Sequence, residues 1–468
     1  MKVIVGIDLG STTTKAILLD EQGRIVGRGI TNSRSNYHVA CAVAREEALT
    51  AARFSMLQRA IDRHIGPVGD AIRDHSDQLM AAFRLELYRR ELVVLNAHIL
   101  QLLDRVLYRA HKAELEGVAQ TIIDNMAEKA PALFLGNANR RSDFFRDIAG
   151  AAFAAEAEQA AADGLVHFDR LVGLFDRAIL DVETTVQERP FGALLEAAAV
   201  RAFPGVEHAQ TIAVLRDIIA DVAAEELDEI AFVGTGYGRQ TLPFPKAAVR
   251  SEILCHGRGA HRVFNGTRTV LDIGGQDTKA IQVDENGVVT SFQMNDRCAA
   301  GCGRYLGYIA DELSLGLHEL GPLALQAEKV IRVNSTCTVF AGAELRERLA
   351  LGQKREDVLA GLHRAIMLRA MSLLARSGGI RDEFTFTGGV CKNPMATKIL
   401  RGLVDDNYGT EITLNIHPDS IYMGALGAAL FGLDDVRAGR PNLLPAFAPP
   451  VTNVKFDPCG GCITETMV

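Results

Sequence analysis

Apolar positions along the chain follow two periods. VIVGI (3–7), AILL (16–19) and residues 25–30 read as three short strands around a Gly/Ser/Thr turn. From about 35 to 208 the texture changes to Ala, Leu, Arg and Glu. Segments such as FRLELYRRELVVLNAHILQLLDRVLYRAHKAEL place apolar residues at helical spacing with charges between them, which predicts a helical insertion. EIAFVG (229–234) restores a buried strand, followed by the glycine-rich turn TGYGR. A second strand–turn–strand unit occupies 269–283, with helix and loop to about 380. A last strand, 384–387, leads into GGV, and a helix carries YMGALGAALFG. The pattern predicts an α/β fold.

An internal repeat sharpens that picture. Asp8-Leu-Gly10-Ser-Thr-Thr-Thr14-Lys15-Ala-Ile and Asp272-Ile-Gly274-Gly-Gln-Asp-Thr278-Lys279-Ala-Ile share Asp, Gly, Thr, Lys, Ala and Ile in one register. Either hairpin alone reads equally well as an ordinary β-turn. Two in the same register, separated by most of the chain, predict a duplicated fold with a ligand between the halves. A hairpin built with Gly lets backbone N–H groups approach an anion, and Ser/Thr hydroxyls add donors. An Asp ending each first strand suits Mg²⁺, which binds beside phosphates through carboxylate oxygen and water.

Composition narrows the function classes. A chain of 468 residues, 48% hydrophobic, is long enough for two or three domains. A net charge of −8 without a long basic block argues against broad nucleic-acid binding. The start MKVIVGIDLG breaks at Gly and Asp and reads as neither signal peptide nor membrane span. With no run of 18 apolar residues, the expectation is a soluble cytoplasmic protein without a membrane partner. The eight cysteines are Cys41, Cys255, Cys298, Cys302, Cys337, Cys391, Cys459 and Cys462; in such a chain they point to metal ligation, redox chemistry or packing rather than disulfides. The histidines show no metal spacing, and His256 and His261, bracketing a Gly/Arg turn, read as structural.

GIDLGSTTTKAILLD and LDIGGQDTKAI resemble the first and second phosphate loops of the sugar kinase/heat-shock chaperone/actin ATPase superfamily. FTGGVCKNP (386–394) resembles its adenosine motif, and YMGALGAAL (422–430) its final connecting helix. The resemblance implies duplicated ribonuclease-H-like/actin-like ATPase lobes with a helical insertion in the first lobe. It implies Asp8 and Asp272 near Mg²⁺, and Gly10, Ser11, Thr12, Thr13, Gly274 and Gly275 around the phosphates of ATP. Gly388, Gly389 and Asn393 would lie near the adenosine. Lys15 and Lys279 are candidates for neutralising phosphate or for exposed hairpin positions. Gln276 and Asp277 are both candidates for orienting the attacking water. The expected organisation is a first lobe from 1–34 and 209–265, the insertion at 35–208, a second lobe at 266–435 and a tail at 436–468.

Two cysteine stretches separate the functions this superfamily supports. They are Asn295-Asp-Arg-Cys298-Ala-Ala-Gly301-Cys302-Gly-Arg-Tyr and Asn334-Ser-Thr-Cys337-Thr-Val-Phe-Ala-Gly-Ala-Glu344, each Cys preceding a helix-compatible run. A helix N-terminus favours a thiolate and a net-negative group. The segments resemble the BadF/BadG/BcrA/BcrD-type ATPases, which include activators of 2-hydroxyacyl-CoA dehydratases and ATPase subunits of ATP-dependent benzoyl-CoA reductase. That resemblance implies one [4Fe–4S] cluster bridging two subunits, with Cys298 and Cys337 from this chain. The long insertion resembles the larger ATPase subunit of benzoyl-CoA reductase. It therefore implies a smaller homologous ATPase subunit, catalytic acyl-CoA reductase subunits and a ferredoxin-like electron donor as partners. Cys302 leaves a three-Cys arrangement within one chain open. Cys459-Gly-Gly-Cys462 has the spacing of a metal or redox pair, or belongs to a tail that contacts a partner. Cys41, Cys255 and Cys391 read as packing residues. A dehydratase activator, a small-molecule kinase and a non-catalytic nucleotide sensor are the alternatives.

Overall fold

The computed structural model describes residues 1–33, 36–109, 111–135, 144–183, 189–236, 244–295, 302–333 and 338–440. Among the described residues the chain divides into two compact units, one from 1–83 and 190–440 and one from 84–183. Cys298, Cys337, Cys459 and Cys462 lie outside the described residues.

The first unit contains two sheets. β1 (Lys2–Leu9), β2 (Thr13–Leu19) and β3 (Ile25–Asn32) form an antiparallel meander, and β4 (Asp228–Thr235) pairs parallel to the other edge of β1. The second sheet repeats the plan. β5 (Thr269–Ile273), β6 (Thr278–Val283) and β7 (Val289–Asn295) make the meander, β8 (Phe384–Thr387) pairs parallel to β5, and β9 (Leu414–Asn415) extends the edge. β1 and β5 run through the middle and are buried on both faces, so they read as continuous apolar runs rather than alternating ones.

The repeat in the sequence is a repeat in register. Asp8 pairs with Lys15 across β1 and β2, and Asp272 pairs with Lys279 across β5 and β6. On the opposite edges Asp8 pairs with Thr235 and Asp272 with Thr387. The residues that follow, Gly236 (φ +103°) and Gly388 (φ +85°), hold a left-handed backbone. A Cβ at Gly236 would stand 2.5 Å from the Leu9 carbonyl oxygen, and one at Gly388 would collide with that of Ile273. Glycine is required at both places for the same reason, and the duplication thus extends to a third strand in each half.

The halves exchange helices. Glu252–Val263 follows the first sheet in sequence but packs on β5, β6 and β7. Met423–Arg437 follows the second sheet but covers β1, β2 and β4, and the two helices pack on each other. Tyr37–Asp62 is capped by Asn36, whose side chain accepts from the His38 and Val39 N–H groups, and it lies on β2 and β3 through Ala40, Ala44, Ala48 and Ala52. Part of the helical stretch between 35 and 208 therefore belongs to the first sheet.

The other unit spans 84–183. Its helices enclose a separate core that includes Leu92, Ile99, Ile122, Phe153, Leu174 and Ile179, with Phe153 and Phe175 stacked at 4.8 Å. Arg355–Ser377, in the first unit, is long and apolar enough to cross a membrane. Its Leu362, Ile366, Ala370 and Leu374 are buried in the core of the second lobe.

Candidate functional site

The two hairpin turns meet. The turn between β1 and β2 presents Gly10, Ser11 and Thr12, and that between β5 and β6 presents Gly274, Gly275 and Gln276. Thr12 lies so close to Gly275 that any Cβ there would collide with its hydroxyl. The first turn is fastened from β3's side. The Ser33 N–H donates to the Thr12 carbonyl at 2.8 Å, the Ser33 hydroxyl to the Gly10 carbonyl at 2.5 Å, and Thr14 Oγ1 lies 2.9 Å from Ser33 Oγ. Thr13, beginning β2, is part-buried.

Behind the turns sits a buried group of charges. Asp8 and Asp272 end equivalent central strands, and the His256 ring stands between them, with Nδ1 3.3 Å from Asp272 Oδ1 and Nε2 3.9 Å from Asp8 Oδ2. Lys279 Nζ is 2.7 Å from Asp277 Oδ1, 2.8 Å from Glu252 Oε1 and 3.3 Å from Asp272 Oδ2. Glu252 and His256 are four residues apart on one helix, so they present the same face to this group. The sequence reading of His256 as a turn residue is corrected: it lies within a helix, in the middle of the cleft charges.

The two aspartates are not equivalent. Burial works against the Asp272 charge, but the His256 and Lys279 charges, and hydrogen bonds that include 2.8 Å from Thr387 Oγ1, hold its carboxyl well below the usual range. Asp8 is equally buried, yet its Oδ1 accepts no hydrogen bond among the described residues. An unpartnered buried carboxylate oxygen at the head of the turn is what a hard cation such as Mg²⁺ would satisfy.

The lysines differ as well. Burial alone would lower the Lys279 pKa, but the Asp272, Glu252 and Asp277 charges raise it well above the ordinary value. Its ammonium is thus already matched. Lys15 is part-buried and has no ion pair among the described residues, so its charge is available. Asp277 is pushed up by burial, with Lys279 opposing and the Glu252 and Asp272 charges adding. Gln276, beside it, is part-buried with no side-chain hydrogen bond among the described residues.

The third candidate loop follows β8. Gly388 packs on the Ile273 backbone, and Gly389 is exposed with open space where a side chain would be. Asn393 caps Pro394–Tyr408, its Oδ1 accepting from the Met395 and Ala396 N–H groups at 3.0 and 3.1 Å. Its Nδ2 donates to His363 Nε2 at 2.9 Å, which requires the His363 proton on Nδ1, where it donates to the Leu359 carbonyl at 2.8 Å. Burial lowers the His363 pKa, consistent with a neutral ring.

Helix Gly303–Glu312 starts at Gly303, so Cys302 stands at its N-cap, fully buried. Thr338–Ala350 begins one residue after Cys337. Cys41, Cys255 and Cys391 are buried free thiols; burial pushes them up to about 12, 12 and 11 respectively, out of the reactive range. Among the described residues no three His, Cys, Asp or Glu side chains form a metal-binding group.

Two three-strand meanders with an aspartate in the same register, glycine turns that face each other, and exchanged helices define an α/β protein of duplicated actin-like ATPase lobes with a helical insertion. The chain matches the BadF/BadG/BcrA/BcrD ATPase family over residues 5–432, and it belongs to that family. It is 42% identical over 205 residues to the (R)-2-hydroxyglutaryl-CoA dehydratase activating ATPase of Acidaminococcus fermentans, covering 44% of this chain and 76% of that protein. It is 34% identical over 214 residues to one of the benzoyl-CoA reductase subunits of Thauera aromatica, covering 46% of this chain and 74% of that protein. The crystal structure of the A. fermentans (R)-2-hydroxyglutaryl-CoA dehydratase component A matches with a TM-score of 0.51 at 22% identity, over 93% of this chain and all of that one; at this identity the likeness concerns the fold.

Proposed function

We propose that this chain is an ATP-driven electron activator: nucleotide hydrolysis between the facing hairpins drives low-potential electrons to a partner enzyme that binds an acyl-CoA. The observation that carries this reading is the duplicated Asp-Gly-Thr-Lys hairpin, in one register and meeting at Thr12 and Gly275, in a member of an ATPase family. The N–H groups of Gly10, Ser11, Thr12, Thr13 and Gly275 would cradle the phosphates, Gly274, whose N–H closes the turn on the Asp277 carbonyl at 3.0 Å, would let them approach, and Lys15 would add its charge. Asp8 would hold Mg²⁺, with Asp272 behind it fixed by Lys279, His256 and Thr387. Bound Mg²⁺ would neutralise charge on the transferring phosphoryl group. Gln276, whose side chain has no bond among the described residues, suits orientation of the attacking water better than Asp277, already bonded to Lys279. Gly388 and Gly389 would lie along the adenosine, in a loop anchored by Asn393.

Cys298 and Cys337, with two thiolates from a second subunit, would hold one [4Fe–4S] cluster, which supplies a low-potential electron. The finer assignment is to a benzoyl-CoA (aromatic acyl-CoA) reductase, with a smaller homologous ATPase subunit, catalytic reductase subunits and a ferredoxin-like donor. The long helical insertion supports it, as does the likeness to a benzoyl-CoA reductase subunit. The higher identity to a dehydratase activating ATPase favours a second reading, activation of a 2-hydroxyacyl-CoA dehydratase. A stable complex with a smaller homologue separates the two.

The test is electron delivery. Anaerobic protein, reduced and mixed with its partner enzyme, passes electrons with MgATP and stops with a non-hydrolysable analogue. Delivery that ignores nucleotide contradicts the reading, and so does a phosphorylated small-molecule product.

A further inference from the structure

We propose that the Gly274–Gly275 turn is a mechanical link that couples the nucleotide to helix Gly303–Glu312; this rests on the nucleotide reading above. The first N–H groups of a helix have no acceptor within it. Here both leading ones are taken by the turn: Gly303 N–H donates to the Gly274 carbonyl at 2.8 Å, and Arg304 N–H to the Gly275 carbonyl at 2.7 Å.

In a trans peptide the N–H and C=O of one unit point in opposite directions. The two peptide units whose carbonyls hold the helix therefore direct the N–H groups of Gly275 and Gln276 away from it. Each unit joins two partners, the helix through oxygen and a phosphate through nitrogen. Bonding at one end polarises the other, so binding at the N–H groups strengthens the grip on the helix.

The contact is close on both sides. A Cβ on Gly303 would stand 3.0 Å from the Gly274 oxygen, 3.4 Å from Val390 Cγ2 and 3.5 Å from Gly275 Cα. Val390 adjoins the exposed Gly389, and Thr12 of the other lobe presses on Gly275. Three candidate nucleotide contacts thus converge on one helix start. From there the path runs to a second helix. Gly303–Glu312 packs against Thr338–Ala350, Glu312 pairs with Arg346, and both helices share the core of Tyr305, Leu306, Ile309, Ala341 and Leu345. In sequence these are the helices that follow Cys298 and Cys337.

Hydrogen–deuterium exchange of the full chain with Mg²⁺ and either ADP or AMP-PNP tests the link. In the wild type, exchange across 304–312 should differ about tenfold between the two nucleotides, the size expected for one backbone hydrogen bond gained or lost. Gly303→Ala, which wedges the turn from the helix, should keep nucleotide protection at 10–14 while shrinking the difference at 304–312 to below about twofold. Unchanged exchange at 304–312 in the wild type, with 10–14 protected, overturns the link and leaves the nucleotide site standing. An undiminished difference in Gly303→Ala overturns it too. No protection at 10–14 by either nucleotide removes the site and the coupling together. The wild-type comparison decides without the variant, should Gly303→Ala fold poorly.

Discussion

Asp8→Asn is expected to lower ATP hydrolysis at least about 100-fold while leaving the protein folded, because it removes the carboxylate that would hold Mg²⁺ beside the reacting phosphates. Asp8 is 3% exposed, ends a central strand, and keeps one oxygen without a hydrogen bond among the described residues. Asn retains the volume, so packing is preserved. It also removes an incompletely compensated buried charge, so stability should hold or rise. The measurement is phosphate release at saturating MgATP alongside a denaturant midpoint. Turnover near the wild-type value would remove Asp8 from the site; a collapsed midpoint would give it a structural role instead.

Lys279→Met is expected to act on folding. The ammonium stands within 3.3 Å of Asp272, Asp277 and Glu252, all buried. Its removal leaves three carboxylates without that counter-charge, a loss of about 3–5 kcal/mol by analogy with broken buried ion pairs. The deficit should shrink as pH falls. Without the cation, carboxylates such as Asp277, already pushed up in the native protein, take up protons in the folded state and relieve the repulsion. Urea unfolding at two pH values checks both parts. A midpoint equal to wild type would show that the cluster does not depend on Lys279. Lys15, at the same register position but without an ion pair among the described residues, should give a far smaller stability change when replaced by Met.

That contrast shows what the sequence made legible. The repeat Asp8–Ile17 and Asp272–Ile281 announces two equivalent hairpins, and the register bears that out residue for residue. It cannot show that Lys279 is buried and Lys15 is not, because that follows from Asp277 standing where the first repeat has Thr13, and from Glu252 arriving on a distant helix. His256 was missed for a similar reason. Its partners are 16 residues or more away, and the helix carrying it crosses to the other lobe, so no local spacing marks it. The matching Thr235-Gly236 and Thr387-Gly388 were legible in principle: both follow short apolar strands, and both glycines carry positive φ. β7 escaped because an edge strand exposed along VTSFQMN lacks the alternation that marks a half-buried one. The insertion's helical character was plain, but its division between sheet-covering helices and the separate unit 84–183 depends on which Ala and Leu faces find partners.

The cysteines decide between an electron activator and a kinase of the same fold. Iron and acid-labile sulfide per chain, in anaerobically purified protein whose subunit composition is measured on the same sample, test this most directly. A cluster bridging two subunits gives half a [4Fe–4S] cluster per ATPase-type chain, about two irons and two sulfides, lost on Cys298→Ser or Cys337→Ser. A full cluster in each chain would contradict the bridging site and bring in Cys302. No iron at all would contradict the electron-activating function itself.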